Sequence, residues 1–303
     1  MTLSLPASLR YGAALGGLTF AALLGYAHFV EPRRLRIERW TVRIPHLPHV
    51  WEGMRVVHLT DFQIGMWLQD DSLPRRAIAA AGALRPDVIF LTGDFAHGGR
   101  WEQQDGLYAP LAQQAPTFAV LGNHDHAGRD SAAERVAAGL RAQGVTVLMN
   151  AHAPLEWRGE SWMIVGVDDF ATGHTDLLTA ITGIARNTRL LALLTHVPDV
   201  ADYLPGGWFP LTVAGHTHGA QVRLSPFQRL SWLNVANVPR RTKYPRGWFQ
   251  VNGGLLYVNR GLGLSNLPLR FGAPPEVALF VLTDGRALPD GTRWQRRKPD
   301  EAI

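Results

Sequence analysis

From about residue 54 to residue 282, short apolar runs alternate with amphipathic or polar stretches, the pattern of an α/β domain. Runs rich in Val, Ile, Leu and Phe predict strands at residues 54–60, 88–92, 117–121, 162–167, 190–195 and 211–214, most of them bounded by Gly, Asp or Pro. Later runs at 255–258 and 277–282 add two more. Helical periodicity predicts helices at 72–84 and 131–143, with Ser72 and Ser131 as N-caps. No internal repeat or low-complexity block interrupts the alternation. The polar, basic, Pro-containing residues 284–303 read as a poorly ordered tail.

The N-terminus follows a different pattern. Residues 11–30, YGAALGGLTFAALLGYAHFV, contain no Lys, Arg, Asp or Glu. As a helix they span about 30 Å, the thickness of bilayer hydrocarbon. This predicts a single-pass anchor over residues 1–31, with a cleaved signal peptide ending near Ala27 as the alternative. Arg33, Arg34, Arg36 and Arg39 follow the span, whereas Arg10 alone precedes it. The positive-inside rule therefore predicts an inner-membrane protein whose large domain faces the cytoplasm. Residues 32–53 form a basic linker and first strand, and 54–283 the main domain.

Composition narrows the chemistry. The 303 residues are 46% hydrophobic, enough for a substantial core. The chain has no cysteine, which excludes disulfides, thiolate metal sites and cysteine nucleophiles. Any metal must use nitrogen and oxygen ligands. The net charge of +5 suits an anionic partner or surface, yet no long basic stripe marks a nucleic-acid binder. No obligate protein partner is evident.

Each of several predicted strands stops at residues that can hold a metal. VVHLTDFQIG ends at Asp61 and Gln63, VIFLTGDF at Asp94, FAVLGNHDH at Asn123, His124 and Asp125, LALLTHVPD at His196, and LTVAGHTHGAQV at His216 and His218. In an extended segment residues i and i+2 share a face, so the last two imidazoles can converge. Strand C-termini are where open α/β sheets place ligands. Oxygen and imidazole donors in this mixture suit Mn, Mg, Fe or Zn.

The order D-x-Q, GD, GNHD, H, GHTHG resembles the calcineurin-like metallophosphoesterase superfamily over residues 54–282. That resemblance implies a two-sheet β-sandwich flanked by helices and a binuclear metal site. The segment GLLYVNRGLGLSNLPLRFGAPPEVALF resembles a bacterial membrane-associated branch that includes phosphodiesterases and Lpx-type UDP-2,3-diacylglucosamine pyrophosphatases of lipid A biosynthesis. By motif, Asp61, Gln63, Asp94 and His218 would hold one ion, and Asp94, Asn123, His196 and His216 the second, with Asp94 as the bridge. His124 would act as general acid or electrostatic stabiliser at the leaving group, oriented by Asp125. Arg260 is a candidate phosphate clamp, its alternative being a surface arginine in a Gly-rich turn. His97 and His126 are candidates for substrate or supporting contacts. Most members carry histidine where this chain has Gln63, and an amide oxygen favours Mn or Mg over softer ions.

Other residues have plainer readings. His28 suits the membrane interface; His46, His49, His152 and His174 suit loops or surface; and His58 is a satisfied strand histidine. SPFQRLSWLNVANVPRRTKYPRGWF interleaves Phe227, Trp232, Trp248 and Phe249 with Arg229, Arg240, Arg241, Lys243 and Arg246. It reads either as a surface loop with its aromatics packed beneath or as a membrane-facing lip. Trp67, Trp101 and Trp208 could extend an apolar wall for acyl chains. The sequence thus points to a membrane-anchored phosphoesterase acting on a phosphodiester or pyrophosphate, most plausibly in a lipid or envelope precursor. Alternatives are an exported general phosphodiesterase and a non-catalytic metal-binding scaffold.

Overall fold

Two six-stranded sheets face each other in a computed structural model that describes residues 7–67, 71–99, 101, 104, 106–128, 131–223, 234–235 and 243–285. The strands are β1 (Arg36–Arg43), β2 (Arg55–Leu59), β3 (Val88–Thr92), β4 (Thr117–Val120), β5 (Thr146–Val147), β6 (Ala151–Trp157), β7 (Glu160–Gly166), β8 (Leu190–Leu194), β9 (Leu211–Ala214), β10 (Val222–Arg223), β11 (Asn234–Val235), β12 (Gly247–Val251), β13 (Gly254–Val258) and β14 (Glu276–Thr283). One sheet has the order β1-β14-β2-β3-β4-β5, the other β12-β13-β9-β8-β7-β6, and β10 with β11 forms a short ribbon. The helices are α1 (Ala7–Gly25), α2 (Ser72–Ala83), α3 (Ala109–Ala112), α4 (Asn123–His126), α5 (Ala132–Ala142) and α6 (Leu177–Ile181).

The predicted strands all form, with ends shifted by a few residues at most, and the first strand expected within residues 32–53 is β1; β6 and β12 had no apolar run distinct enough to announce them. β14 is buried along all eight residues. It pairs in parallel with β1 and antiparallel with β2, so it is satisfied on both edges and both faces. Strands β2, β3 and β4 run parallel in one sheet, and β7, β8, β9 and β13 in the other. Their C-terminal ends therefore collect at one pole.

Between the sheets lies an aromatic core in which Phe280 meets His58, Trp248 and Tyr257 at ring distances of 6.3, 5.3 and 5.0 Å. The outer face of the first sheet is covered by the apolar stripes of α2 and α5, and that of the second by α6 and the turn Pro198–Tyr203. Neither expected serine cap forms. Ser131 takes a left-handed conformation and makes no cap bond, while Ser72 lies inside the first turn behind Asp71. The Asp71 carboxylate pairs with Arg75 at 2.6 Å instead.

Trp248 is buried in the core and Phe249 packs beneath the second sheet, so these two belong to the sandwich and not to a lip. Lys243 pairs with Asp202 and Arg246 donates to Gly272 O. Phe227, Arg229, Trp232, Arg240 and Arg241 lie outside the described residues, as do residues 286–303 of the expected tail. Trp101 stacks on Tyr108 against the first-sheet core.

One N-terminal helical stretch, Arg10–Arg33, is long and apolar enough to cross a membrane. Its 24 residues would span about 36 Å if straight and are exposed up to Leu24, while Ala27, Glu31 and Pro32 are buried against the domain. The α1 helix passes into a π-turn over Tyr26–Val30 and a 3-10 turn over Glu31–Arg33, and β1 starts three residues later. Truncating Phe280 to alanine removes the ring at the centre of the aromatic core. Chemical denaturation should show a loss of about 3–5 kcal/mol.

Candidate metal centre

The seven expected ligands come from five strand ends and meet at one pole. Five of them, Asp61, Gln63, Asp94, His216 and His218, have positive φ, between 49° and 70°. Side chains other than Gly rarely hold this conformation, and each instance costs about 1 kcal/mol or more. Reversing the backbone there turns each side chain back over the end of its own strand.

Hydrogen bonds between the sheets hold the reversals. His196 Nδ1 is 2.7 Å from Thr92 O, which fixes that nitrogen as the donor and leaves Nε2 for the site. The backbone N–H of His216 donates to both oxygens of Asp61 at 3.1 Å. Asn259 donates to His58 O at 3.2 Å across the same seam. Ligand atoms of Asp61, Asp94 and His196 all lie within 4.8 Å of one another.

Around Asp94 the donors form two groups. His196 Nε2 lies 3.3 Å from Asp94 Oδ2, while His216 Nδ1 lies 3.0 Å from Asn123 Oδ1 and 3.2 Å from His196 Nε2. On the other side His218 Nε2 is 3.3 Å from Asp61 Oδ1, and Gln63 Nε2 donates to Asp94 Oδ2 at 2.6 Å. Gln63 Oε1 is buried and has no hydrogen-bond partner among the described residues. Such an oxygen is costly to bury unless something accepts its lone pairs.

Electrostatics point the same way. Burial pushes Asp61 up to about 7. Burial and the neighbouring His196 push His216 down to about 4, and burial with Arg270 holds His218 well below the usual imidazole range. Asp94 is held below the usual carboxylate range because His196 and His124 outweigh its burial. The lone pairs of His216 and His218 are therefore free, whereas Asp94 raises His196 above the usual imidazole range against its burial, so an ion taking Nε2 would displace a proton there. This is a donor set into which divalent ions fit.

The description "Calcineurin-like phosphoesterase" fits residues 54–222 of the sequence. The chain belongs to the calcineurin-like phosphoesterase family. It is 32% identical to an uncharacterized metallophosphoesterase, YkuE, of Bacillus subtilis, over 90% of this chain and 94% of that one. It is 28% identical to phosphodiesterase YaeI of Escherichia coli, covering 85% and 92% respectively. To UDP-2,3-diacylglucosamine pyrophosphatase LpxG of Chlamydia trachomatis it is 27% identical, covering 84% and 91%. The protein is thus a metallophosphoesterase of the hydrolase class, and the family fold implies divalent ions at this centre.

Two expectations about this phosphoesterase site are corrected by its contacts. Asp125 does not orient His124; its carboxylate accepts the backbone N–H groups of Gly122, Asp94, Phe95 and Ala96 at 2.8–3.1 Å. It is the clip joining the GD and GNHD loops. His124 Nδ1 instead lies 3.2 Å from His97 Nδ1, and its backbone N–H donates to Asp94 Oδ1 at 2.8 Å. Arg260 is not free to clamp a phosphate, being paired with Glu38 and Glu276 at 2.7 Å each.

The remaining histidines divide between site and scaffold. His126 Nε2 is 2.8 Å from Asp168 Oδ1, and its ring stacks on His174 at 4.3 Å. His174 is exposed in a loop, as expected, and that loop brings its ring onto His126. His58 is buried and pushed down to about 3; Nε2 meets Thr92 Oγ1 at 2.8 Å, but Nδ1 has no partner among the described residues. His152 bonds Ala180 O, and His28 Nδ1 is 2.6 Å from Pro268 O.

Asp168 and Asp169 were missed, although they follow β7 just as the ligands follow their own strands. Arg270 was missed too. Wholly buried, it donates to the carbonyls of Ala273, Arg260 and Gly263 at 2.5–2.9 Å, and Nη2 lies 3.4 Å from His218 Nδ1. Its signal was weak, a lone arginine in the apolar segment LPLRFG. A glycine is also required: a Cβ at Gly122 would sit 2.4 Å from Asp94 Oδ1.

Asp125→Ala and His124→Ala separate the clip from the chemistry. Asp125→Ala leaves four amide donors without their acceptor and should cost about 3 kcal/mol in denaturation together with bound metal. His124→Ala should keep both stability and metal content by elemental analysis while turnover falls.

Proposed function

We propose that the protein hydrolyses a phosphodiester or pyrophosphate bond in a lipid-linked envelope precursor presented at the membrane surface, a class represented by UDP-2,3-diacylglucosamine. The observation that carries this reading is where the anchor docks. Arg270 N donates to Ala27 O at 2.9 Å, Ala273 N donates to Glu31 Oε1 at 2.7 Å, and Tyr26 meets Phe271 edge to face. The loop under the anchor is therefore the loop whose Arg270 abuts His218. An anchor seated there sets the metal pole toward the bilayer, where a phosphate ester carried on a lipid headgroup would be found. Trp67, nearly half exposed and bonded to Ser265 O of that loop, is placed to meet an acyl chain. The arginines after the span favour a cytoplasmic domain on the inner membrane.

In this reading Asp61, Gln63, Asp94 and His218 hold one ion and Asp94, Asn123, His196 and His216 the other. Such ions activate water and neutralise phosphate charge. The chain's own part is positional. The His97–His124 contact occupies Nδ1 of His124 and leaves Nε2 as the nitrogen that can give a proton to the departing oxygen. The backbone bond from His124 to Asp94 ties that proton donor to the bridging carboxylate. The Asp168 hydrogen bond raises His126 above the usual imidazole range against its burial, which favours an ion pair beside the site. Manganese is the expected ion because Gln63 supplies an amide oxygen. The catalytic unit is residues 54–283, with residues 1–31 as anchor.

The test is turnover of purified full-length protein on UDP-2,3-diacylglucosamine in mixed micelles beside the soluble bis-p-nitrophenyl phosphate. Higher kcat/KM on the lipid, lost together with soluble turnover in Asp94→Asn, is the expected result. Metal-dependent turnover of the soluble ester alone would leave the hydrolase and remove the lipid. Gln63→His should stay active and retain Zn more firmly than Mn relative to wild type, measured as metal content after mild chelation. For His124→Ala the fall in rate should be roughly 10²–10⁴-fold with a poor leaving group and smaller with p-nitrophenolate.

A further inference from the structure

At the pole opposite the metal centre the two sheets part around a cavity of about 1380 Å³. Small-molecule sites commonly occupy about 300–1,000 Å³, so the space exceeds a packing defect. Its position follows from the strands. Arg189 and Leu190 line it at the start of β8, whereas His196 follows the end of that strand, roughly 20 Å away along the chain. β1 runs from the anchor at Arg36 to Arg43, which also lines the cavity, so the opening faces away from the membrane pole.

The lining separates by character. Trp162 and Trp248 are buried in its floor, Trp40 is partly buried, and Trp208 stands half exposed at its edge. The Trp40 Nε1 atom is buried and has no acceptor among the described residues. Three exposed arginines, Arg43, Arg186 and Arg189, lie on the rim, and no Asp or Glu lines any part of the cavity. None of the three pairs with a carboxylate among the described residues; Arg43 and Arg189 donate to the carbonyls of Asp284 and His46. Arg189 also lies over the Trp162 ring at 5.6 Å. An apolar floor under an unneutralised cationic rim complements one kind of molecule, an anion on an aliphatic body. Two-chain lipids remain in the bilayer, on the other side of the domain, and a molecule reaching this pole must have monomer solubility.

We propose that this cavity is a second binding site, separate from the metal centre, for a single-chain anionic amphiphile whose chain lies among the tryptophans and whose head meets Arg186 and Arg189. This site does not depend on the substrate proposed for the metal centre.

The tryptophans supply the readout. Full-length protein in nanodiscs of neutral lipid is titrated with 9,10-dibromostearate, whose bromines quench nearby indoles, and in parallel with its uncharged methyl ester. Saturable quenching by the acid and only partition-type, non-saturating quenching by the ester is expected. Arg186→Glu with Arg189→Glu should raise the apparent Kd at least about tenfold. Ile184→Trp, which fills the wall while keeping both arginines in the chain, should abolish saturation. Turnover of bis-p-nitrophenyl phosphate by both variants should remain at the wild-type level, showing that they fold. Competition identifies the head group: laurate or dodecyl phosphate should displace the probe, whereas inorganic phosphate should not. Equal quenching by acid and ester, equal affinity in the charge-reversed variant, or displacement by inorganic phosphate would each overturn the proposal.

Discussion

A ligand at the end of a strand can reach a common centre only if the chain turns back on itself there. Five residues of this site do so in a left-handed conformation that costs about 1 kcal/mol or more apiece. The sum, about 5 kcal/mol, is comparable to the net stability of many domains. The surrounding structure must therefore impose those angles, and it does so with bonds that cross between the sheets. His196 reaches Thr92 and His216 reaches Asp61 across that gap, while on the first sheet alone Asp125 gathers four amides of two loops. Fold and site share these contacts, because the bonds that impose the left-handed turns also gather the polar side chains at this pole.

Asp94 is the point where the demands meet. One oxygen accepts the backbone of His124, while the other faces Gln63 and His196. A carboxylate engaged this way cannot shift without moving His124, Gln63 and His196 together. Gly122 must remain without a side chain for the same reason, since a Cβ would overlap that carboxylate. Arg270 plays a similar part on the other flank, tying the loop at 260–263 to its own strand connection and to the chain leaving the anchor. The apolar N-terminal helix and the polar cluster at this pole are thus mechanically adjacent.

The pattern of apolar runs was sufficient for the α/β class and for strands β2, β3, β4, β7, β8, β9, β13 and β14, because buried strands in this fold are nearly continuous hydrophobic segments. β1 was expected only as a first strand somewhere within residues 32–53, because its burial alternates poorly and four of its eight residues are charged. Motif order named residues that the fold brings to one pole, since each motif directly follows a strand whose direction is shared. Asp168 and Asp169 follow the same rule but stand in no familiar motif.

What the sequence by itself determined is local: which segments extend, where each one ends, which side chains stand at those ends, and that one N-terminal stretch is apolar enough to span a membrane. Partnership was decided by tertiary structure. Asp125 and Arg260 had the right chemistry for the roles first expected of them, but a carboxylate takes whichever donors surround it and a guanidinium whichever acids. Four backbone amides and two glutamates were nearer. Residues separated by over 200 positions, such as Glu38 and Arg260 or Glu31 and Ala273, meet only after both sheets have closed. No local pattern encodes such pairs, because the energy that selects them exists only in the folded arrangement.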